Sequence, residues 1–365
     1  MWVYLGIFGY ECGYDWMIDL SKIVITPELL SLIAEIDEFK GIWHLLGRLI
    51  PERLQALRKV ATIESIGSST RIEGSKLSDR AVEELLSNIK TYSLISRDEQ
   101  EVAGYALVCE EIFQSYDAIP FTENVIKQLH GWLLKFSDKD QRHRGEYKKM
   151  SNNVEAFDES GKSLGILFET ATPFETPMKM EELIFWTREQ LETKSLHPLL
   201  IISLFVVIFL AIHPFQDGNG RLSRILTTLL LLKSGYHYVS YSALESIIER
   251  NKENYYLALR KTQRSLKRKF PDFASWIQFF LRALQKQKIH LEQKVTLEKA
   301  LTLHLSPLSS QILILLHEHG RLSISDIEKI TKTNRNTLKK CLASLSFSNH
   351  ILRLGAGKAT WYSLP

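Results

Sequence analysis

Two apolar runs flank a short polar stretch, and this arrangement constrains the chain more than any other feature. Residues 199–212 read LLIISLFVVIFLAI, interrupted only by Ser203, and residues 222–232 (LSRILTTLLLL) are again largely apolar. The first run has fourteen residues, short of the eighteen or so that a membrane span needs, and is read as a buried core helix. Between the runs stands HPFQDGNGR, residues 213–221. Pro214 keeps the residue before it out of the right-handed helical region, so the chain is expected to turn at His213. Gly218 and Gly220 permit positive φ and leave backbone N–H groups bare at the start of the second helix. A glycine-rich loop feeding a helix N-terminus is an anion site, because unpaired N–H groups and the helix dipole both favour negative charge. Arg221 and Arg224, three residues apart, share a helical face and add bidentate phosphate donors. Asp217 inside such a loop would repel a bare phosphate, which points to a divalent cation between them, Mg²⁺ with oxygen ligands. His213, at the entry of the loop, is placed to take a proton from an attacking group. A nucleotide-phosphate transfer site accounts for all of these, whereas a histidine at a helix end or a GNG turn alone would be ordinary structure.

The rest of the chain fits a mainly α fold. At 365 residues it is long enough for two or three domains. The formal charge of +4 is mild, so partners must be read from where charge sits. Cys12, Cys109 and Cys341 lie far apart with no CxxC spacing, which argues against a disulfide framework or a zinc site and fits a reducing, cytoplasmic setting. The opening MWVYLGIFGYECGYDW lacks a basic leader and carries Glu11 and Asp15, so it is not read as a signal peptide, and Met17 is an alternative start. Apolar residues at helical spacing run from about 26 to 94 and again from 98 to 136, with glycines at 41, 47, 67 and 74 as punctuation and Thr122 positioned to cap a helix after Pro120. After Gly145, turn residues DESGK separate two stretches of β-formers, placing strands near 152–157 and 163–169. Helices resume at Met178 and continue to about Gln287. The last part offers helices at about 308–319, 323–331 and 334–347 and then two short strands around a glycine turn, the order of a winged helix-turn-helix. The expected domains are 1–120, a helical region; 121–290, a core with a hairpin at about 151–170; and 300–365.

HPFxDGNGR fixes eight positions, so a chance match in this chain is on the order of 10⁻⁸. It resembles the signature of the Fic (filamentation induced by cAMP) family, HPFx(D/E)GN(G/K)R followed after two residues by a second arginine, here Arg224. The resemblance implies a helical core with a β-hairpin flap, and adenylyl transfer (AMPylation) from ATP to a Ser, Thr or Tyr hydroxyl of a protein, itself included. Carried over, it makes His213 the general base and Asp217 the Mg²⁺ ligand. Gly218, Asn219 and Gly220 would line the anion hole, Arg221 would contact the β-phosphate and Arg224 the γ-phosphate. Gly220 at the variable position resembles the AMPylating branch and not the Doc-like kinase branch. The hairpin stands where the flap of the family clamps a target by strand addition. Tyr255 and Tyr256 resemble its nucleobase-side tyrosines, though paired tyrosines at a helix end are commonly core.

Upstream, SSTRIEG resembles the inhibitory motif (S/T)xxxE(G/N) of the family, with Ser69, Glu73 and Gly74 at the motif positions. The resemblance implies an inhibitory helix at about 62–74 whose Glu73 pairs with Arg224 and restrains ATP. The same glutamate could instead position a water for AMP removal, and Gly74 could simply cap a helix. Homodimers are common in the family, but no interface in the sequence demands one.

Basic residues gather late: residues 260–288 hold nine Lys or Arg against Asp272, and the last seventy residues hold nine against four acids. In TNRNTLKKCL, Asn334, Arg335, Asn336, Lys339 and Lys340 are types suited to phosphate and base-edge contacts. A DNA-binding regulator acting through residues 300–365 is the competing class of function, with a solvated face or a protein-binding winged helix as the plainer readings.

Overall fold

The computed structural model describes residues 24–46, 51–88, 94–157, 163–266, 268, 271–303, 306–355 and 360–364. The expectations for the N-terminal leader and for the DESGK turn lie outside these residues. The chain divides into two compact units, residues 1–290 and 291–365.

The first unit is helical. Its elements are α1 (Pro27–Leu46), α2 (Pro51–Ile72), α3 (Asp79–Ser87), α4 (Arg97–Ser115), α5 (Glu123–Leu133), the strands β1 (Val154–Phe157) and β2 (Ser163–Phe168), α6 (Thr176–Thr193), α7 (Pro198–Ile212), α8 (Asn219–Lys233), α9 (Leu244–Arg250), α10 (Lys252–Ser265) and the start of α11 (Ala274–Leu303). Local chemistry sets several starts. Ser78 and Thr122 cap α3 and α5 with their side chains, and Ser96 with Glu99 forms a capping box on α4. Pro198 opens α7 where its missing N–H costs nothing.

Helix α7 is the centre of the core: Leu199 through Leu210 are all buried, and the helix packs against α6, α8 and α10. Its one polar residue is absorbed locally. The Ser203 hydroxyl donates to Leu200 O (2.8 Å) and the buried Trp276 indole donates to Ser203 O (2.7 Å). Burying each such large apolar side chain contributes roughly 1.5–3 kcal/mol, so α7 and α8 are held firmly and the loop between them has fixed ends. Gly41 and Gly67 do not punctuate anything: they lie inside α1 and α2. Strands β1 and β2 pair antiparallel from Val154↔Phe168 to Phe157↔Ser163, with register shifts after Val154 and after Ala156.

The second unit contains α12 (Pro307–His319), β3 (Arg321–Ser323), α13 (Ile324–Thr331), α14 (Arg335–Phe347), β4 (Leu352–Leu354) and β5 (Trp361–Ser363). Its core is Ile312, Leu316, Ile327, Leu338, Leu342, Leu345 and Ile351. The strands form one antiparallel sheet in the order β3-β5-β4. Strand β3 is absent from the sequence reading, because three residues with one inward position carry no alternation to detect.

Candidate active site

The loop between α7 and α8 is held from every side. His213 ends α7 in the left-handed region (φ 53°, ψ 59°), with its N–H still bonded to Phe209 O (2.8 Å). The chain turns here as expected before Pro214: the left-handed conformation keeps the last helical hydrogen bond while avoiding the region that proline forbids. Its Nδ1 lies 3.3 Å from Leu210 O, so Nδ1 carries the proton and Nε2 keeps its lone pair. Burial pushes the His213 pKa down to about 4, which leaves the ring neutral at pH 7.

Of the two loop glycines only Gly218 uses a positive φ (78°). Gly220 lies within α8 and is needed for space: a Cβ there would overlap Glu73 Oε1 and stand 3.0 Å from its Cδ. Leu222 makes the first intrahelical bond, to Gly218 O, so the N–H groups of Asn219, Gly220 and Arg221 precede the helical ladder. The Asn219 side chain turns back onto the loop. It closes the loop, accepting from Phe215 N–H (2.9 Å) and donating to Phe215 O (2.6 Å).

Residues that the sequence reading did not single out complete this scaffold. His130, fully buried, accepts the Gly145 N–H at Nδ1 (2.8 Å) and donates from Nε2 to Asp217 O (3.0 Å), while its ring stacks on Phe215 with centroids 3.8 Å apart. Burial pushes its pKa down to about 4. Buried Lys148 donates from Nζ to Ile212 O (2.9 Å), Asn152 Oδ1 (2.8 Å) and Thr170 Oγ1 (3.0 Å), and Asn152 Nδ2 donates to His213 O (3.1 Å) and Phe215 O (2.6 Å). Residues on both sides of the β1–β2 hairpin are thereby tied to the loop. Burial lowers the Lys148 pKa to about 8.

Asp217 and Arg221 belong to a closed ring of alternating charge. Arg97 pairs with Glu101 (2.8 Å) and Asp217 (3.1 Å), and Arg221 pairs with Glu101 (3.1 Å) and Asp217 (3.2 Å). Burial works against the charge on Asp217, but Arg221, the Gly218 N–H and Arg97 outweigh it and hold the carboxyl below its usual range. Arg221 is 2% exposed and Asp217 30%, so the carboxylate keeps an open side.

Arg224 faces the other way, towards the end of α2. Its Nε donates to Ser69 Oγ (2.8 Å) and its Nη2 to Ser69 O (3.0 Å) and Glu73 Oε1 (2.8 Å). The helix expected at 62–74 is longer at its start and ends at Ile72. Glu73 therefore sits in the turn beyond it, where Gly74 adopts φ 110° and leaves the helix. Behind this pair Tyr105 donates to the buried Glu245 (3.1 Å). Arg71, two residues before Glu73, clasps α9: Nε and Nη2 meet the two Glu249 oxygens (2.7 and 3.0 Å), and Nη1 meets Asp79 (2.8 Å) and Leu77 O (3.0 Å). A Cβ at Gly67 would lie 2.7 Å from Arg71 Nη1, so that glycine makes room for the clasp.

The tyrosine pair divides. Tyr255 is 3% exposed, and its ring packs against Trp276 and Phe279, so in this structure it is an interior side chain. Tyr256 is part-exposed. Among the described residues no group of three or more His, Cys, Asp or Glu is arranged to hold a metal on its own, and no helix is long and apolar enough to cross a membrane.

Residues 120–231 match the Fic/DOC family. A probable protein adenylyltransferase of Aquifex aeolicus is 31% identical over 99 residues, covering 27% of this chain and 28% of that protein. The protein adenylyltransferase Fic of Drosophila virilis is 26% identical over 220 residues, covering 60% of this chain and 41% of the relative. The chain thus spans well under half the length of these curated relatives. A solved structure described as a Fic family protein from Desulfovibrio desulfuricans G20 is similar over 94% of this chain and 98% of its own, with TM-score 0.62 and 23% identity. That likeness is one of fold.

Proposed function

Since this chain is a Fic family protein, we propose that it is a protein adenylyltransferase restrained by its own Glu73. In this reading residues 121–290 carry the transfer chemistry and residues 1–120 carry the restraint. The observation that supports it best is the seat of Arg224, whose guanidinium is engaged by Glu73 and by both the hydroxyl and the carbonyl of Ser69. Three of the five N–H donors of that guanidinium are already engaged, and the Glu73 carboxylate beside it would repel an incoming γ-phosphate.

With Glu73 displaced, Arg224 receives the γ-phosphate and the free N–H groups at the start of α8 receive the α- and β-phosphates. The target hydroxyl attacks the α-phosphorus; its oxygen forms the new P–O bond, the bond to the bridging oxygen of the β-phosphate breaks, and pyrophosphate leaves. The hydroxyl proton passes to His213 Nε2, free because Nδ1 donates to Leu210 O. The ring's low pKa ensures that this nitrogen is unprotonated at pH 7. Asp217 fits as the protein ligand of a Mg²⁺ ion, since one ionised, part-exposed carboxylate beside a phosphate site is the usual provision for that ion. The ion would offset charge on the leaving pyrophosphate. The target is a protein hydroxyl presented along the β1–β2 hairpin by strand pairing.

The test is incubation of wild type, Glu73→Gly and Glu73→Gly/His213→Ala with α-³²P-ATP and Mg²⁺, with and without host lysate, followed by a denaturing gel. Label that rises in Glu73→Gly and disappears in the double variant is expected. Equal labelling by wild type and Glu73→Gly would remove the restraint, and labelling that survives His213→Ala would remove the assigned base.

A further inference from the structure

The adenylyl-transfer reading leaves residues 306–364 without a task. The burial pattern of α14 is one-sided: Leu338, Leu342 and Leu345 are buried in the small core, while Arg335, Asn336, Thr337, Lys339 and Lys340 are exposed. The core side explains three leucines at helical spacing, but it does not explain the choice of residues opposite. These are three cations with two residues able to hydrogen-bond base edges, and α14 contains no acidic residue.

We propose that the second unit binds double-stranded DNA, with the N-terminal half of α14 in the major groove. Asn334 precedes the helix as its N-cap, with its side chain spent on accepting from the Asn336 N–H (2.8 Å), so Arg335 and Asn336 project from the first turn, the part of a recognition helix that meets base edges. Lys339 and Lys340 follow one turn later, at the spacing that reaches the flanking phosphates. Exposed Lys332, in the left-handed turn between α13 and α14, and exposed Arg353 on β4 extend the positive surface to either side. Nearby, Glu328 is paired with Arg335 (3.3 Å) across an exposed contact, which a phosphate or a guanine edge can exchange for a stronger one. The sheet braces β4 through β5, and Arg321 lies over the Trp361 ring (5.1 Å).

The alternative occupant of this unit is a protein, and its surface would be the apolar one at Phe347 (92% exposed), Leu352 and Leu354. The experiment separates the two. Full-length protein is titrated into a fluorescein-labelled 30-base-pair duplex of mixed sequence, with anisotropy read from 50 to 200 mM NaCl. Wild type is compared with Arg335→Ala/Lys339→Ala/Lys340→Ala, with Lys339→Arg/Lys340→Arg and with Phe347→Ser. Binding is expected in wild type, retained by the arginine pair and by Phe347→Ser. In the alanine triple variant the slope of log affinity against log salt should fall by about two to three, close to one for each lost cation. All the substituted cations are solvent-facing and the core leucines are untouched, and the arginine pair reports on folding. No duplex binding at 50 mM NaCl, an unchanged salt slope in the triple variant, or loss in Phe347→Ser would each overturn the proposal. His213→Ala should bind the duplex like wild type, so failure of the transfer reading and failure of this one are told apart.

Discussion

Arg71→Ala should raise adenylyl transfer without touching any group at the reaction centre. In the proposed restraint Glu73 is carried by the turn at the end of α2, and Arg71 is the fastener of that turn. It donates twice to Glu249 and once each to Asp79 and Leu77 O, at 2.7–3.0 Å. Fully buried, such charge-assisted bonds would contribute several kcal/mol. Side-chain exposures of 22% for Arg71, 29% for Glu249 and 48% for Asp79 bring the total down to about 1–2 kcal/mol. If that energy stabilises the restrained arrangement alone, its loss multiplies the open fraction, and with it the rate, by roughly 5–30-fold. The assay is the initial rate of ³²P incorporation from α-³²P-ATP, with Glu73→Gly as the upper limit and thermal unfolding as the fold control. Glu249→Gln should raise the rate less, and combining it with Arg71→Ala should add little, since both act on one pair. A wild-type rate in Arg71→Ala beside a raised rate in Glu73→Gly would refute the reasoning.

Two further outcomes follow from buried groups. The His130 pKa of about 4 lies below the ordinary 6.5, so between pH 6.5 and 4 the unfolded chain binds a proton that the folded chain refuses, and stability falls with falling pH by up to about 3 kcal/mol. His130→Gln, which retains a donor for Asp217 O, should lose that part of the slope; denaturant unfolding of both proteins at pH 7 and 4.5 checks it, and identical slopes would deny His130 the effect. Glu101→Ala leaves the buried Arg221 with Asp217 as its remaining carboxylate and should cost about 3 kcal/mol, read as a lower thermal midpoint. A midpoint within a degree of wild type would show that Asp217 suffices.

What could be read in advance was punctuation and short-range spacing. Pro214 and Gly218 mark the break between α7 and α8, and the four-residue interval from Ser69 to Glu73 puts both on one side of a helix end. What could not be read were partners brought in by tertiary packing. His130 meets Asp217 across 87 residues, Arg97 meets it across 120, and Arg71 meets Glu249 across 178; no periodicity links such pairs. Steric reasons were equally hidden. Gly220 looked like a source of positive φ and is instead a space left for a carboxylate, and Gly67 looked like a helix breaker and is a space left for a guanidinium. Tyr255 resembled a ligand contact, but only the packing of Trp276 and Phe279 around it shows that it is interior.

Glu73 and Arg224 stand 151 residues apart in one polypeptide. Their encounter is therefore unimolecular, and its equilibrium does not change when the protein is diluted. Specific activity should be the same at nanomolar and micromolar enzyme, unlike that of an enzyme silenced by a separate subunit, which recovers on dilution. The variable left to set the balance is the nucleotide. In the proposed reading the carboxylate and the γ-phosphate compete for one guanidinium, and the restraint would act as a fixed handicap on ATP occupancy, equal to the ratio of closed to open chains. Under the proposed restraint, a releasing partner would act on the end of α2 or the face of α9, where Arg71 and Glu249 meet, and not by changing how much enzyme there is.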